Sequence, residues 1–109
     1  MIPERGDIVW IDLNPQAGRE QAGHRPAIVL SPSVYNRQGL IICCPITNKQ
    51  KGYPFEVMVK SKRGKVTGVA LADHIKCLDW QARGVVKADD AEEETIAHIA
   101  AMIRALLIL

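Results

Sequence analysis

At 109 residues the chain fits one domain, residues 1–109, large enough to bury roughly two-thirds of its unfolded surface without disulfide or metal staples. Its three cysteines, Cys43, Cys44 and Cys77, are odd in number with two adjacent, a poor disulfide framework that fits a reducing cytoplasm. The longest uncharged apolar run, LIICCPI, is far short of the about 20 residues of a membrane span, and Pro3, Glu4, Arg5 and Gly6 interrupt what would have to be a secretory leader. The net charge of +2 says nothing about partners, but its distribution does: residues 1–87 hold 13 Lys and Arg against 7 Asp and Glu, and residues 88–109 hold 1 against 5. The excess gathers at Lys49, Lys51, Lys60, Lys62, Arg63 and Lys65, opposed there by Glu56. Such a stretch either attracts polyanions by counterion release or is a solvated lysine-rich loop.

In chain order, GDIVWIDL, PAIVLS, GLIICCPI, PFEVMVK, VTGVALA and GVVK are short, rich in Val and Ile, and separated by Gly, Pro, Asn or Lys clusters, the pattern of strands. In PFEVMVK, Phe55, Val57 and Val59 alternate with Glu56, Met58 and Lys60, the period of a strand with one wet face. Many short strands at this spacing predict a small barrel or a strongly curved sheet. One helix follows in AEEETIAHIAAMIRALL, with Asp90 as the expected cap, Glu93 three residues on, and acids in the first turn. Its apolar stripe of Ile96, Ile99, Ala100, Ile103, Leu106 and Leu107 is expected to cover an open end or face of the sheet. The fold class is therefore mostly β with a C-terminal α-helix. No internal repeat, linker or low-complexity segment appears.

His74 and Cys77 stand three apart, but the paired Cys-x-x-Cys spacing of structural zinc sites is missing, and the adjacent Cys43 and Cys44 point to opposite faces of a strand. No phosphate-cradling Gly-x-x-x-x-Gly-Lys loop and no Gly-x-Ser-x-Gly elbow occurs. No metal or organic cofactor is expected. The chemically dense stretch is EQAGHRPAIVLS, residues 20 to 31. Gly18 and Gly23 loosen the segment ahead of the second strand, and Pro26 forces Arg25 into an extended conformation as that strand begins. An arginine held in this way suits a phosphate or a carboxylate, because its planar fork donates two parallel bonds and stays charged; a structural salt bridge is the equal alternative.

The runs GDIVWIDLNPQAGREQAGHRPAIVLSPSVYN, PITNKQKGYPFEV and GVALADHIKCLDWQARG, in this order, resemble the MazF/PemK family of toxin endoribonucleases, on its MazF-like branch. The resemblance spans the chain from Gly6 to the helix. It implies an SH3-like barrel that pairs as a homodimer, with single-stranded RNA in a groove near the dimer interface. The implied activity is cleavage of RNA, usually mRNA, at short motifs, without metal, leaving a 2′,3′-cyclic phosphate and a 5′-hydroxyl. A cognate MazE-like antitoxin would neutralise the chain and would be its only link to operator DNA. No membrane is implied.

Carried over position by position, the resemblance marks Arg25, Thr47 and Glu20 as the catalytic set, and Gln21, His24, Asn48, Lys49, Lys51, Asp73 and His74 as RNA-binding. Arginine is a poor base and a threonine hydroxyl is none, so Arg25 would neutralise developing charge, Thr47 would orient the phosphate, and Glu20 would accept the proton. Histidine as a residue type titrates near neutrality, which keeps His24 open as the base. The PemK-like branch carries an arginine two positions before the aspartate equivalent to Asp73; Leu71 stands there in this chain. His74 stands where many members have glutamine, which bears on the RNA motif preferred. Of the five aromatics, Trp80 and Tyr53 are expected to be the more exposed, with a core role the default for each. Two readings compete with the nuclease: a non-catalytic toxin of the same fold that binds a protein target, as CcdB binds gyrase, and an inactive member kept for antitoxin binding and operon control.

Overall fold

The computed structural model describes residues 1–14, 18–19 and 23–108. The elements run β1 (Asp7–Asp12), β2 (His24–Val29), α1 (Ser33–Asn36), β3 (Leu40–Thr47), β4 (Glu56–Met58), β5 (Val69–Leu71), β6 (Lys76–Asp79), β7 (Val86–Asp90) and α2 (Glu93–Leu107). Among the described residues the pairings are all antiparallel, in the order β4-β5-β3-β2-β1-β7 with β6 also on β3. The sheet curls until the segments beyond its two end strands meet. There a single Ser61–Ala91 bridge joins them, flanked by Lys62 N–H to Asp90 O and Glu92 N–H to Lys60 O, both 2.8 Å. A strongly curved sheet is thus present, but it stays open rather than closing as a barrel.

β3 is the pivot. One side pairs with β2 from Ala27–Pro45 to Val29–Cys43. The other side changes neighbour, from β6 at Leu40–Cys43 to β5 at Ile46 and Thr47. Pro45 sits at the change. Ile42 turns its N–H and carbonyl toward the β2 side, to Ser31 Oγ and Leu30 N, so strand alternation turns position 45 the other way. The missing N–H of proline, which would break a ladder elsewhere in a central strand, falls in the gap between β6 and β5.

Alternation along these strands feeds two cores, one per face. Ile8, Ile28, Cys44, Ile46 and Val57 pack under Ile99 of α2; Val9, Ile11, Val29 and Ile41 pack with Leu78 and Trp80 on the other face. Buried Asn36 ties α1 in place, donating to Pro3 O (2.8 Å) and Ser31 O (2.9 Å) and accepting from Ser31 Oγ.

The helix begins later than the acid run suggested. Glu92 is its N-cap residue and no side chain caps it, because Asp89 and Asp90 end β7. Asp90 there pairs with Lys87 (2.9 Å). Only Ile99 of the predicted stripe is fully buried; Ile96 and Ile103 are half-buried, and Ala100, Leu106 and Leu107 stay exposed. Strand β6 and the single turn of α1 carried no pattern of their own in the sequence. No helix among the described residues is long and apolar enough to cross a membrane.

Candidate functional site

Thr47 closes β3, buried with only 4% of its surface exposed. Its Oγ1 accepts the Lys49 N–H at 3.1 Å, which fixes the rotor with the hydroxyl hydrogen free to turn outward. Behind it lies Gly68, whose φ of +122° only glycine adopts readily; a Cβ there would stand 2.4 Å from Thr47 O and 2.9 Å from Asn48 Oδ1. The backbone of the β4–β5 connection therefore presses directly on the carbonyl of Thr47, and the threonine is held from both sides.

Thr47 lines a cavity of about 660 Å³ with Arg19, Lys49, Lys51, Tyr53, Glu56, Leu71, Asp73 and His74. The rim is set by Glu56, whose carboxylate accepts the backbone N–H groups of Lys51 (3.0 Å), Gly52 (2.8 Å) and Tyr53 (3.2 Å). This arrangement presents Lys51 beside the Tyr53 ring, with Nζ 5.9 Å from its centroid. Asp73 and His74 stand in the turn after β5, with His74 Nε2 3.9 Å from Asp73 Oδ1 and the His74 N–H on Leu71 O at 3.0 Å. Lys49, Lys51, Asp73 and His74, expected from the sequence to bind RNA, line one cavity with Thr47. Leu71 brings an apolar wall to the cavity.

Arg25 is half-buried in β2, across from Ile11. The β2–β3 ladder ends at Ala27–Pro45, two residues short of Arg25 on one strand and of Thr47 on the other. The two border different hollows. Arg25 lines one of about 240 Å³ with Trp10, His24, Pro26, Ile46, Asn48, Lys65, Val66 and Thr67. His24 and Asn48 thus part company with Lys49 and Lys51 and go with Arg25.

Glu20 and Gln21 lie outside the described residues. The neck of their loop is pinned: Leu13 N–H bonds Gly23 O (2.9 Å) and Gly23 N–H bonds Asn14 Oδ1 (3.1 Å). Arg83 Nη1 adds bonds to Asp12 O (3.0 Å) and Asn14 O (2.7 Å). Nothing in the sequence flagged Arg83 or Gly68, since both act through contacts with distant backbone. Trp10 and Trp80 exchange their expected places. Trp80 is half-buried with its indole N–H on Asn36 O (2.7 Å), whereas Trp10 is 39% exposed; Tyr53 is exposed as expected.

The basic run is also divided. Lys60 turns away to Glu94 of α2 (3.0 Å), whose hydrogen bond and charge raise the pKa of the ammonium. Lys62 faces the groove of α2, and Lys65 faces Arg25. The loop carrying them hangs on buried Asp89, which accepts the N–H groups of Arg63 (3.2 Å), Lys65 (3.1 Å) and Asp90 (2.7 Å). Burial pushes this carboxyl up, but those amides together outweigh it and hold it below the ordinary aspartate range. No three His, Cys, Asp or Glu side chains among the described residues converge as a metal site would require.

Residues 4–107 match the family model described as PemK-like, MazF-like toxin of type II toxin-antitoxin system. The endoribonuclease toxin MazF of Escherichia coli K12 is 46% identical over 107 residues, covering 97% of this chain and 95% of that protein. The endoribonuclease PemK of Escherichia coli is 30% identical, covering 95% of this chain and 81% of its own. Among solved structures, MazF of Deinococcus radiodurans superposes with a TM-score of 0.93 at 44% identity, covering 100% of this chain and 99% of that one. The toxin chain matched in a MazE–MazF crystal structure of the same organism gives 0.85 at 37%, covering 100% and 98%.

Proposed function

Since the chain belongs to the PemK-like, MazF-like toxin family of type II toxin–antitoxin systems, we propose that it cuts RNA at the rim of the sheet where β2 carries Arg25 and β3 ends in Thr47. It is an endoribonuclease toxin neutralised by an antitoxin. Its place of work is the cytoplasm, which its free thiols suit. The observation that carries the site is that half-buried Arg25 lines one hollow with Ile46 and Asn48, the chain neighbours of Thr47, while Thr47, its hydroxyl fixed by a backbone amide, lines the next with Lys49 and Lys51.

The reaction is attack of a ribose 2′-oxygen on the neighbouring phosphorus. The 2′-O–P bond forms, the 2′-hydroxyl proton passes to a base, for which Glu20 is the candidate, and the P–O5′ bond breaks as the departing O5′ takes a proton from water to leave as the 5′-hydroxyl. Arg25 donates to the non-bridging oxygens as negative charge builds on phosphorus, and its permanent charge favours the transition state over the ground state. Thr47 donates its hydroxyl hydrogen to the same phosphate and holds the in-line geometry. Gln21, Asn48, Asp73 and His74 read base edges. The functional unit is a homodimer, with a second copy over the exposed apolar side of α2. That side bounds a groove of about 750 Å³ lined by Leu30, Ile96, Ala100, Ile103 and Leu107.

The test is incubation with a long single-stranded RNA in EDTA. Discrete fragments with 5′-hydroxyl and 2′,3′-cyclic ends are expected, with a rate about 100- to 1,000-fold lower in Arg25→Ala. No fragments from several RNAs would remove the nuclease reading; full activity of Arg25→Ala would remove only the site. Glu20→Gln is expected to lose about 100- to 10,000-fold while His24→Ala keeps a base, and the reverse order would hand that role to the histidine.

A further inference from the structure

The Arg25 hollow is built unlike the Thr47 cavity. Trp10 and His24 rise from neighbouring strands, where Trp10 pairs with Pro26 and Asp12 with His24, and their rings lie parallel, 2° apart in plane and 5.6 Å between centroids. Both are exposed, although Trp10 is flanked in β1 by fully buried Val9 and Ile11. A large aromatic pair is therefore held flat and wet on a rigid strand, in a protein whose other tryptophan is packed and hydrogen-bonded. Beside the pair stand Asn48, a neutral donor and acceptor, and Lys65, exposed, its main chain fixed by Asp89.

We propose that the Trp10–His24 pair is a stacking platform for the base of one nucleotide flanking the cleaved bond, on the side of Arg25 away from the Thr47 cavity, with Lys65 meeting that nucleotide's phosphate. This rests on the nuclease reading above. Rings at this offset already stack on each other, so the base adds to the outer face of the pair rather than entering between its members. Sequence-tolerant stacking on aromatic side chains beside a cationic track is how single-stranded nucleic acid is held. The end of β3 supplies the continuity: Ile46 and Asn48 border this hollow with Arg25, while Thr47 between them borders the other. A strand of RNA laid over the arginine therefore sends its two flanking nucleotides to different hollows.

The experiment uses the full chain and an RNA oligonucleotide containing its cut site, made uncleavable by a 2′-deoxy substitution there, plus a series in which one base at a time is abasic. Trp10→Ala is expected to weaken binding of the intact oligonucleotide by about 5- to 150-fold. It should have no effect when one particular flanking position is abasic, and Trp10→Phe should retain most of the affinity. Lys65→Ala should reduce the slope of log affinity against log salt by about 0.7. If Trp10→Ala melts too low to assay, Trp10→Leu takes its place. Wild-type affinity of these variants, or the same loss at every abasic position, would overturn the proposal. So would a loss confined to binding of the purified antitoxin, which would give the platform to protein. In each of these cases wild-type cleavage would leave the nuclease reading standing; a wild-type chain that neither cuts nor binds RNA would remove both.

Discussion

Gly68→Ala should separate the fold of this protein from its chemistry. Two effects add at this position. A residue other than glycine at φ +122° carries a conformational cost of about 1–3 kcal/mol. The new Cβ would also lie 2.4 Å from Thr47 O, where ordinary contact begins at 3.4 Å, so the Thr47 backbone must retreat by about 1 Å, and a displacement of that size at a reacting group costs about 100-fold in rate. Gly39→Ala is the matched control, with φ +110° and nothing within 4 Å of its Cβ position. It keeps the conformational cost and lacks the collision. At about 4 °C per kcal/mol, Gly39→Ala should melt roughly 4–12 °C below wild type and cut RNA normally. Gly68→Ala should melt lower still and lose about 100-fold in kcat when both are assayed well below their midpoints. If the two variants match in melting and in kcat, the approach of Gly68 does not position Thr47 and the account of that contact is wrong.

Arg83→Ala removes the two bonds that this side chain makes at the neck of the 14–23 loop. It should destabilise by roughly 1–2 kcal/mol and lower kcat more than it raises KM, with Arg83→Lys recovering part; unchanged kcat would deny the neck a role in placing Glu20. Asp89 has a folded pKa below its unfolded one, so its contribution is fully present above the unfolded value near 4 and is lost as pH falls through the lower folded value. Acid titration of wild-type stability should show that limb below about pH 4, and it should flatten in Asp89→Asn. Burial pushes the Cys43 thiol up to about 12. That contribution is complete below the ordinary thiol value near 8.5 and is lost as pH rises toward the folded one, giving an alkaline limb that softens in Cys43→Ala. With Cys43 and Cys44 buried and Cys77 exposed, a thiol reagent should titrate one cysteine in the native protein and three in urea; three in the native protein would contradict the packing of β3.

The sequence by itself determined what depends on neighbours along the chain. Short Val- and Ile-rich runs between turn residues marked the strands, the 3.6-residue period marked the body of α2, and Pro26 held Arg25 extended at the start of β2, because each follows from local sterics and one-sided burial. The family motifs then named Arg25 and Thr47. Tertiary structure alone decided what those residues border. Pairing of β2 with β3 in one register, and the change of neighbour along β3, brought Arg25 to one hollow with Ile46 and Asn48 yet opened Thr47 on another. The same pairing of distant segments drew Asp89 and Asp90 out of the helix cap and into β7. It left Trp10 in water while Trp80 found the carbonyl of Asn36, and it dispersed one run of lysines over three surfaces. Such outcomes depend on the summed burial and hydrogen bonding of segments far apart in the chain, and no window of residues contains that sum.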